Sequence, residues 1–148
     1  MAGSTGRPGE LLDVAIRIAG MALPGEQVEA YVARGTSTTV RAYRGDVESL
    51  TQATSAGVGV RVIVDHREGF AYAGTLDEGV VLEALAEARD NATFSEPDEA
   101  NGLATPDGVE APRLDLWREG VAAVPVEEKV ALALELERAT TSRDPRVT

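Results

Sequence analysis

Residues 56–73 read AGVGVRVIVDHREGFAYA, and the reading of this stretch decides the fold. Val58, Val60, Val62 and Val64 recur with period two, the spacing that puts them on one face of an extended strand. Gly59, Arg61 and Ile63 fall on the other face. Asp65-His66-Arg67-Glu68-Gly69 is polar and ends in glycine, which predicts a hairpin loop of about three to five residues. Phe70-Ala71-Tyr72-Ala73 then returns as a partner strand.

Working back from this hairpin, Val28–Arg34 alternates as a first strand and Gly35-Thr36-Ser37 is expected to turn the chain. Thr38–Tyr43 is rich in β-branched residues and reads as a second strand. Arg44-Gly45-Asp46 is a tight turn, Val47–Thr54 a more polar third strand, and Ser55-Ala56-Gly57 a turn into the valine strand. Short links mean antiparallel neighbours, because a parallel crossover takes about a dozen residues or more. The expected class is α+β: an antiparallel meander sheet of four to five strands with helices packed on one face.

Two helices are available to cover the valine face. Glu10–Leu23 carries Leu11, Ala15, Ile16, Ile18, Ala19, Ala22 and Leu23 at helical spacing, and Pro24-Gly25 stops it. The second opens at Thr75-Leu76-Asp77-Glu78, where Thr75 and Glu78 have capping-box spacing. Its buried stripe is expected at Val81, Ala84, Leu85, Ala88 and Ala92, with Glu83, Glu87 and Asp90 in water. From about residue 93 to 124 the prolines, acids and turn pairs read as a long surface loop. Phe94, Leu114, Leu116 and Trp117 are expected to pin that loop by packing. Pro125–Ala139 reads as a third helix with Val126, Val130, Ala133 and Leu134 on its apolar face. Met1–Gly9 reads as a disordered start, residues 10–148 as one domain, and Arg146-Val147-Thr148 as the opening of a further strand, as in the front piece of a longer protein.

Composition narrows the function. The 148 residues carry a net charge of −11, and a surface that acidic repels nucleic-acid backbones and anionic lipid. Cysteine is absent, which excludes disulfides, thiolate metal sites and cysteine nucleophiles. No run approaches the roughly 20 apolar residues of a membrane span, and a cytoplasmic location is expected. Aromatic residues make up only 4%, so the core must come from Val, Leu, Ile and Ala.

Candidate chemistry is sparse. Protein zinc sites take about three ligands, and the single histidine, His66, stands in a loop beside Asp65 and Glu68, where solvation is the ordinary reading. Gly57-Val58-Gly59 opens like a dinucleotide fingerprint, but the third glycine and the following helix are missing, so a strand with closely approaching backbone is the plainer reading. Arg41, Arg44 and Arg61 could gather to hold a peptide carboxylate, or could pair across strands with Glu29 and Glu48. No catalytic, cofactor-binding or metal-binding residue is assigned. A sheet edge made by Val47–Thr54 could alternatively take an extended peptide.

The ordered set of segments resembles the N-terminal domain of the TldD/PmbA family, also called the modulators of DNA gyrase. The amphipathic opening helix is followed by VEAYVARGTSTTVRAYRGDVESL, then by SAGVGVRVIVDHREGFAYAGTLDEGVVLEALAEARDNATFSEPDE, LDLW, VPVEEKVALALELERA and DPRVT. The segment ARDNATFSEPDE is closer to the PmbA (TldE) branch than to the TldD branch. The resemblance implies a cytoplasmic bacterial or archaeal protease of two related subunits, linked to peptide-antibiotic maturation and antitoxin breakdown. In that family the TldD-type subunit holds zinc through a His-Glu-x-x-x-His helix in its C-terminal half. No such motif occurs here, so no family ligand or catalytic residue transfers to this chain. What the resemblance implies is an accessory domain, non-catalytic by itself, without a cofactor of its own. Its expected partners are a zinc-bearing TldD-type subunit and, through the complex, an unfolded peptide. An N-terminal domain of the TldD-type chain itself is the alternative.

Overall fold

The computed structural model describes residues 8–105, 107–110, 112, 114–116, 118–144 and 146–147. Most of the disordered start expected at Met1–Gly9, and the packing role expected of Trp117, lie outside the described residues. The elements are α1 (Pro8–Ala19), β1 (Glu26–Tyr43), β2 (Asp46–Val64), β3 (Arg67–Ala73), α2 (Glu78–Phe94), α3 (Glu119–Ala122) and α4 (Val126–Arg143). The strands form one sheet in the order β1-β2-β3.

Three long strands therefore replace the four to five expected. The two expected upstream strands are the single β1, and Val47–Thr54 runs without a break into the valine strand as β2. The reason lies in the glycines. Gly35 and Gly57 both stay extended and never adopt the positive φ that a tight turn uses. The turns fall at Arg44-Gly45 (φ 56° and 82°) and Asp65-His66 (φ 49° and 61°). Positive φ at both central residues is the type I′ pattern whose twist matches a two-residue hairpin. The second hairpin loop is thus Asp65-His66 alone, shorter than expected, and Gly69 belongs to β3.

Register then sorts the side chains. Val58 faces Ala73, Val60 faces Ala71 and Val62 faces Gly69. These valines are fully buried with Ile18, Val28, Ala71, Ala73, Val81, Ala84, Leu85 and Ala88. The α2 stripe is the one the periodicity predicts. In α1 the stripe is narrower than expected: Ile18 is buried and Val14 packs beside it, but Ile16 and Leu23 are 61% and 54% exposed. Two residues along a helix turn by about 200°, so Ile16 and Ile18 cannot share a face. The helix also stops at Ala19, which takes Leu23 out of the pattern.

The cap of α2 is Asp77 rather than Thr75. Asp77 is extended and its Oδ1 accepts from Gly79 N at 3.1 Å, while Thr75 Oγ1 accepts from Asp77 N at 3.1 Å. Glu78 is the first helical residue and so cannot close a box three positions into the helix. Asp77→Ala is expected to lower stability by about 1 kcal/mol in urea denaturation, and Thr75→Ala by less.

The described chain divides into two compact units. One runs to Gly35 and resumes over Thr54–Asp107; it holds the whole buried core. The other combines Thr36–Ala53 with the chain from Gly108 onward, and none of its described residues is fully buried. There α4 half-buries Val126, Val130, Ala133 and Leu134, as expected, and runs on to Arg143. Lys129 Nζ donates to Thr38 Oγ1 at 3.3 Å, and Glu137 Oε2 accepts from Gly45 N at 2.9 Å. The expected loop from 93 to 124 is interrupted by the single turn of α3. Phe94, Leu114 and Leu116 do not pin it: they are 81%, 66% and 84% exposed.

Candidate functional site

The face of the sheet opposite the core, within the first unit, is the most distinctive surface of the chain. The sequence GFAYA places Gly69, Ala71 and Ala73 inward and leaves Phe70 and Tyr72 outward. Arg61 of β2 faces Phe70, and Gly59 faces Tyr72. Arg61 Nη2 lies 2.7 Å from Glu29 Oε2, so Glu29, Arg61 and Phe70 form one row across the three strands. Two residues on, Gly59 faces Tyr72, and Tyr31 stands on the same outward face of β1 as Glu29. A Cβ added at Gly59 would sit 3.1 Å from the Phe70 ring, and one at Gly57 would sit 3.1 Å from the Tyr72 ring. The rings therefore lean over bare glycine backbone, an arrangement that fills the gap a glycine leaves in a sheet. Their outer faces remain open: Tyr31, Phe70 and Tyr72 are 75%, 57% and 66% exposed.

One end of this face is closed by the chain itself. After α2, Ser95 Oγ donates to Glu68 O and Arg67 Nη1 donates to Ser95 O. Asp98 N and Asn101 Nδ2 both donate to His66 O, at 2.9 and 3.0 Å. Leu103 N then donates to Gln27 Oε1 on β1 at 2.8 Å. Ile63, on the outer face of β2, is 4% exposed and stands outside the main core cluster. Asn91 Nδ2 donates to Phe70 O at 2.9 Å, so side chains and turn occupy the carbonyls of His66 in the hairpin loop and of Glu68 and Phe70 on β3. An open depression of about 700 Å³ lies beside this turn, lined by Glu68, Glu96, Asp98 and Glu99 among others.

The residues singled out in the sequence are not brought together. Arg61 pairs with Glu29 and, at 3.4 Å, with Glu68. Arg41 pairs with Glu48 at 3.5 Å, the cross-strand alternative. Arg44 sits in the I′ turn with its guanidinium 5.1 Å from the Tyr43 ring centre. Arg41 and Arg44 belong to one unit and Arg61 to the other, so no carboxylate clamp of the three is described. His66 is a turn residue whose described bonds are through its carbonyl. Gly57-Val58-Gly59 lies inside β2; a Cβ at Gly57 would meet Ala73 O at 2.7 Å. Among the described residues no three His, Asp or Glu side chains gather as ligands, so the residues described do not fit a zinc site.

Among the ion pairs that sequence reasoning missed, one is the least exposed of those described. Arg89 of α2 grips Glu26 with Nε to Oε1 at 2.9 Å and Nη2 to Oε2 at 3.0 Å, and Nη2 also donates to Met21 O at 2.8 Å. Glu26 Oε2 further accepts from Leu23 N at 2.9 Å. The Arg89 hydrogen bond, helped by the Leu23 N–H and opposed by burial, holds the Glu26 carboxyl below the usual carboxylate value. The signal was an arginine at the margin of the α2 stripe, one position past Ala88.

The fold defines a class: a three-stranded antiparallel α+β domain. Residues 28–92 match the family model described as PmbA/TldA metallopeptidase domain 1. The chain is 27% identical over 125 residues to the metalloprotease PmbA homolog of Haemophilus influenzae, covering 83% of this chain and 27% of that protein. It is 28% identical over 141 residues to the metalloprotease PmbA of Escherichia coli, covering 94% and 30% respectively. The crystal structure of TldE from Thermococcus kodakarensis superposes with a TM-score of 0.58 at 19% identity, over 89% of this chain and 30% of that one, which supports the fold. The chain therefore spans less than a third of the length of these relatives. Together these matches support the expected resemblance to the N-terminal domain of the TldD/PmbA family.

Proposed function

We propose that the chain is the accessory N-terminal domain of a PmbA/TldE-like subunit in a two-subunit, cytoplasmic zinc metallopeptidase. Its task is architectural, and the TldD-type partner carries the zinc and the bond-breaking groups. The observation that carries this reading is the family match across 28–92 together with two curated relatives that both bear the PmbA name. No helix of the described residues is long and apolar enough to cross a membrane. A different role, as a peptide-binding module with Val47–Thr54 as its edge, is the second reading, because β3 pairs with β2 only over Val58–Val64 and does not run alongside that segment. The test is a zinc titration and a peptide-cleavage assay on the chain alone and after mixing with a TldD-type subunit. Zinc and cleavage are expected to follow the partner. Stoichiometric, tight zinc on this chain by itself, or metal-dependent cleavage by it, overturns the reading.

A further inference from the structure

We propose that the open aromatic face of the first unit's sheet seats an extended polypeptide rich in Arg and Lys. The chain has six aromatic residues, and none of the five described lies in the buried core. Three of those five, Tyr31, Phe70 and Tyr72, stand on this one face and leave most of their rings to water. Exposed aromatics gathered on one patch are characteristic of protein-binding surfaces, since each ring offers a large area with little conformational freedom to lose. Here the freedom is smaller still, because Phe70 and Tyr72 already lean on Gly59 and Gly57.

The geometry favours an extended chain over a compact ligand. Phe70 and Tyr72 are alternate residues of one strand, about 6.7 Å apart along it, the same repeat as alternate side chains of an extended ligand. The face is open rather than concave, unlike the cavities that take small molecules. The adjoining row shows the mode of seating within the chain itself, where the segment after Ser95 ends with Leu103 N on Gln27 Oε1.

Charge selects the ligand. Glu29 and Glu68 border the rings, and Glu68, Glu96, Asp98 and Glu99 line the adjoining depression. The nearby cations are already engaged: Arg61 with Glu29 and Glu68, Arg67 with Ser95 O. Open rings flanked by carboxylates attract cationic side chains through both the ring quadrupole and the acid groups. The inference concerns the chain's own surface and does not rest on the assembly proposed above.

The test uses fluorescence anisotropy with two labelled twelve-residue peptides, one alternating Arg and Leu, the other alternating Glu and Leu. The basic peptide is expected to bind and the acidic one not. Tyr31→Ser, a change at a largely exposed position, is expected to weaken binding about 2- to 5-fold, the size of an exposed cation–π contact. The pair Glu96→Gln with Glu99→Gln is expected to weaken it similarly and flatten its salt dependence. Glu83→Gln with Glu87→Gln, on the outer side of α2, is the control and is expected to change nothing. Equal binding of the acidic peptide, an unchanged affinity for Tyr31→Ser, or an equal loss in the α2 control overturns the proposal. So does a dimer by light scattering that Tyr31→Ser dissolves, since the face would then serve a second copy of the chain.

Discussion

Gly69→Ala is expected to destabilise the chain by about 3 kcal/mol or more, the upper end of the range for overpacking a core. A methyl there would lie 2.0 Å from Ala88 O, 2.3 Å from Ala92 N and 2.9 Å from Ala92 Cα. All three atoms are helix backbone, so no side chain can swing aside. To admit the methyl, α2 must lift off β3, and that opens the layer where Val62, Leu85 and Ala88 are buried. The loss outweighs the opposite effect of the same change on the unfolded chain, where trading Gly for Ala is worth about 0.4–1 kcal/mol in favour of folding. Gly59→Ala is the control. Its methyl would meet only the Phe70 ring, at 3.1–3.2 Å, and that exposed side chain need move outward by only a few tenths of an ångström to admit it. Urea denaturation followed by circular dichroism should show a large drop for Gly69→Ala and a small change for Gly59→Ala. Equal drops would mean that the close approach of α2 to Gly69 is not what holds the layer together.

Gly69 also shows where the sequence speaks clearly and where it does not. The alternation of Val58, Val60 and Val62 named the inner face of β2, and the α2 stripe followed from its periodicity. Both signals are a hydrophobic period matched to a backbone period, and burial enforces them. Glycine carries no such signal. At Gly45 it permits a turn, at Gly69 it admits a helix, and at Gly57 and Gly59 it lies beneath aromatic rings. Reading Gly35 and Gly57 as turns split two long strands into four. The real turn at Asp65-His66 uses no glycine, since Asp and His tolerate positive φ better than most residues.

The candidate face was half legible for the same reason. Pairing of Arg41 with Glu48 follows from strand alternation once the Arg44-Gly45 hairpin is drawn, whereas Arg61 with Glu29 sits one residue out of that register. The exposure of Phe70 and Tyr72 was available in GFAYA, where the small residues share the parity of the inward positions. What no local pattern encodes is the segment from Ser95 to Leu103, whose bonds to His66, Glu68 and Gln27 span 27 to 76 residues of sequence. Its residues look like any acidic loop until the sheet they cross is in place.

The Glu26–Arg89 pair lies beyond local patterns too, and it carries the second large effect. One guanidinium on α2 holds the first residue of β1 and the carbonyl of Met21 in the link from α1. The Glu26 side chain is 9% exposed and that of Arg89 28%, so removing either partner strands a largely desolvated charge. Arg89→Met is expected to lower stability by about 1.5–3 kcal/mol, the range for hydrogen bonds to a charged group in this partly buried pair. Glu26→Gln, which keeps shape and some hydrogen bonding, is expected to cost less. Acid then separates the mechanisms. In the native chain the folded Glu26 pKa lies below its unfolded value, so its stabilisation is present above the ordinary carboxylate range and fades as pH falls through the lowered folded value. Glu26→Gln has no such group, so its deficit against the native chain should shrink on acidification. Arg89→Met leaves a carboxyl that burial pushes the other way, above the unfolded value, so protonation relieves it and its deficit should shrink as well, beginning at higher pH. Denaturation midpoints of the three chains from pH 7 downward test this. Parallel curves at every pH would show that Arg89 acts through packing of its aliphatic stem and not through the charge it pairs.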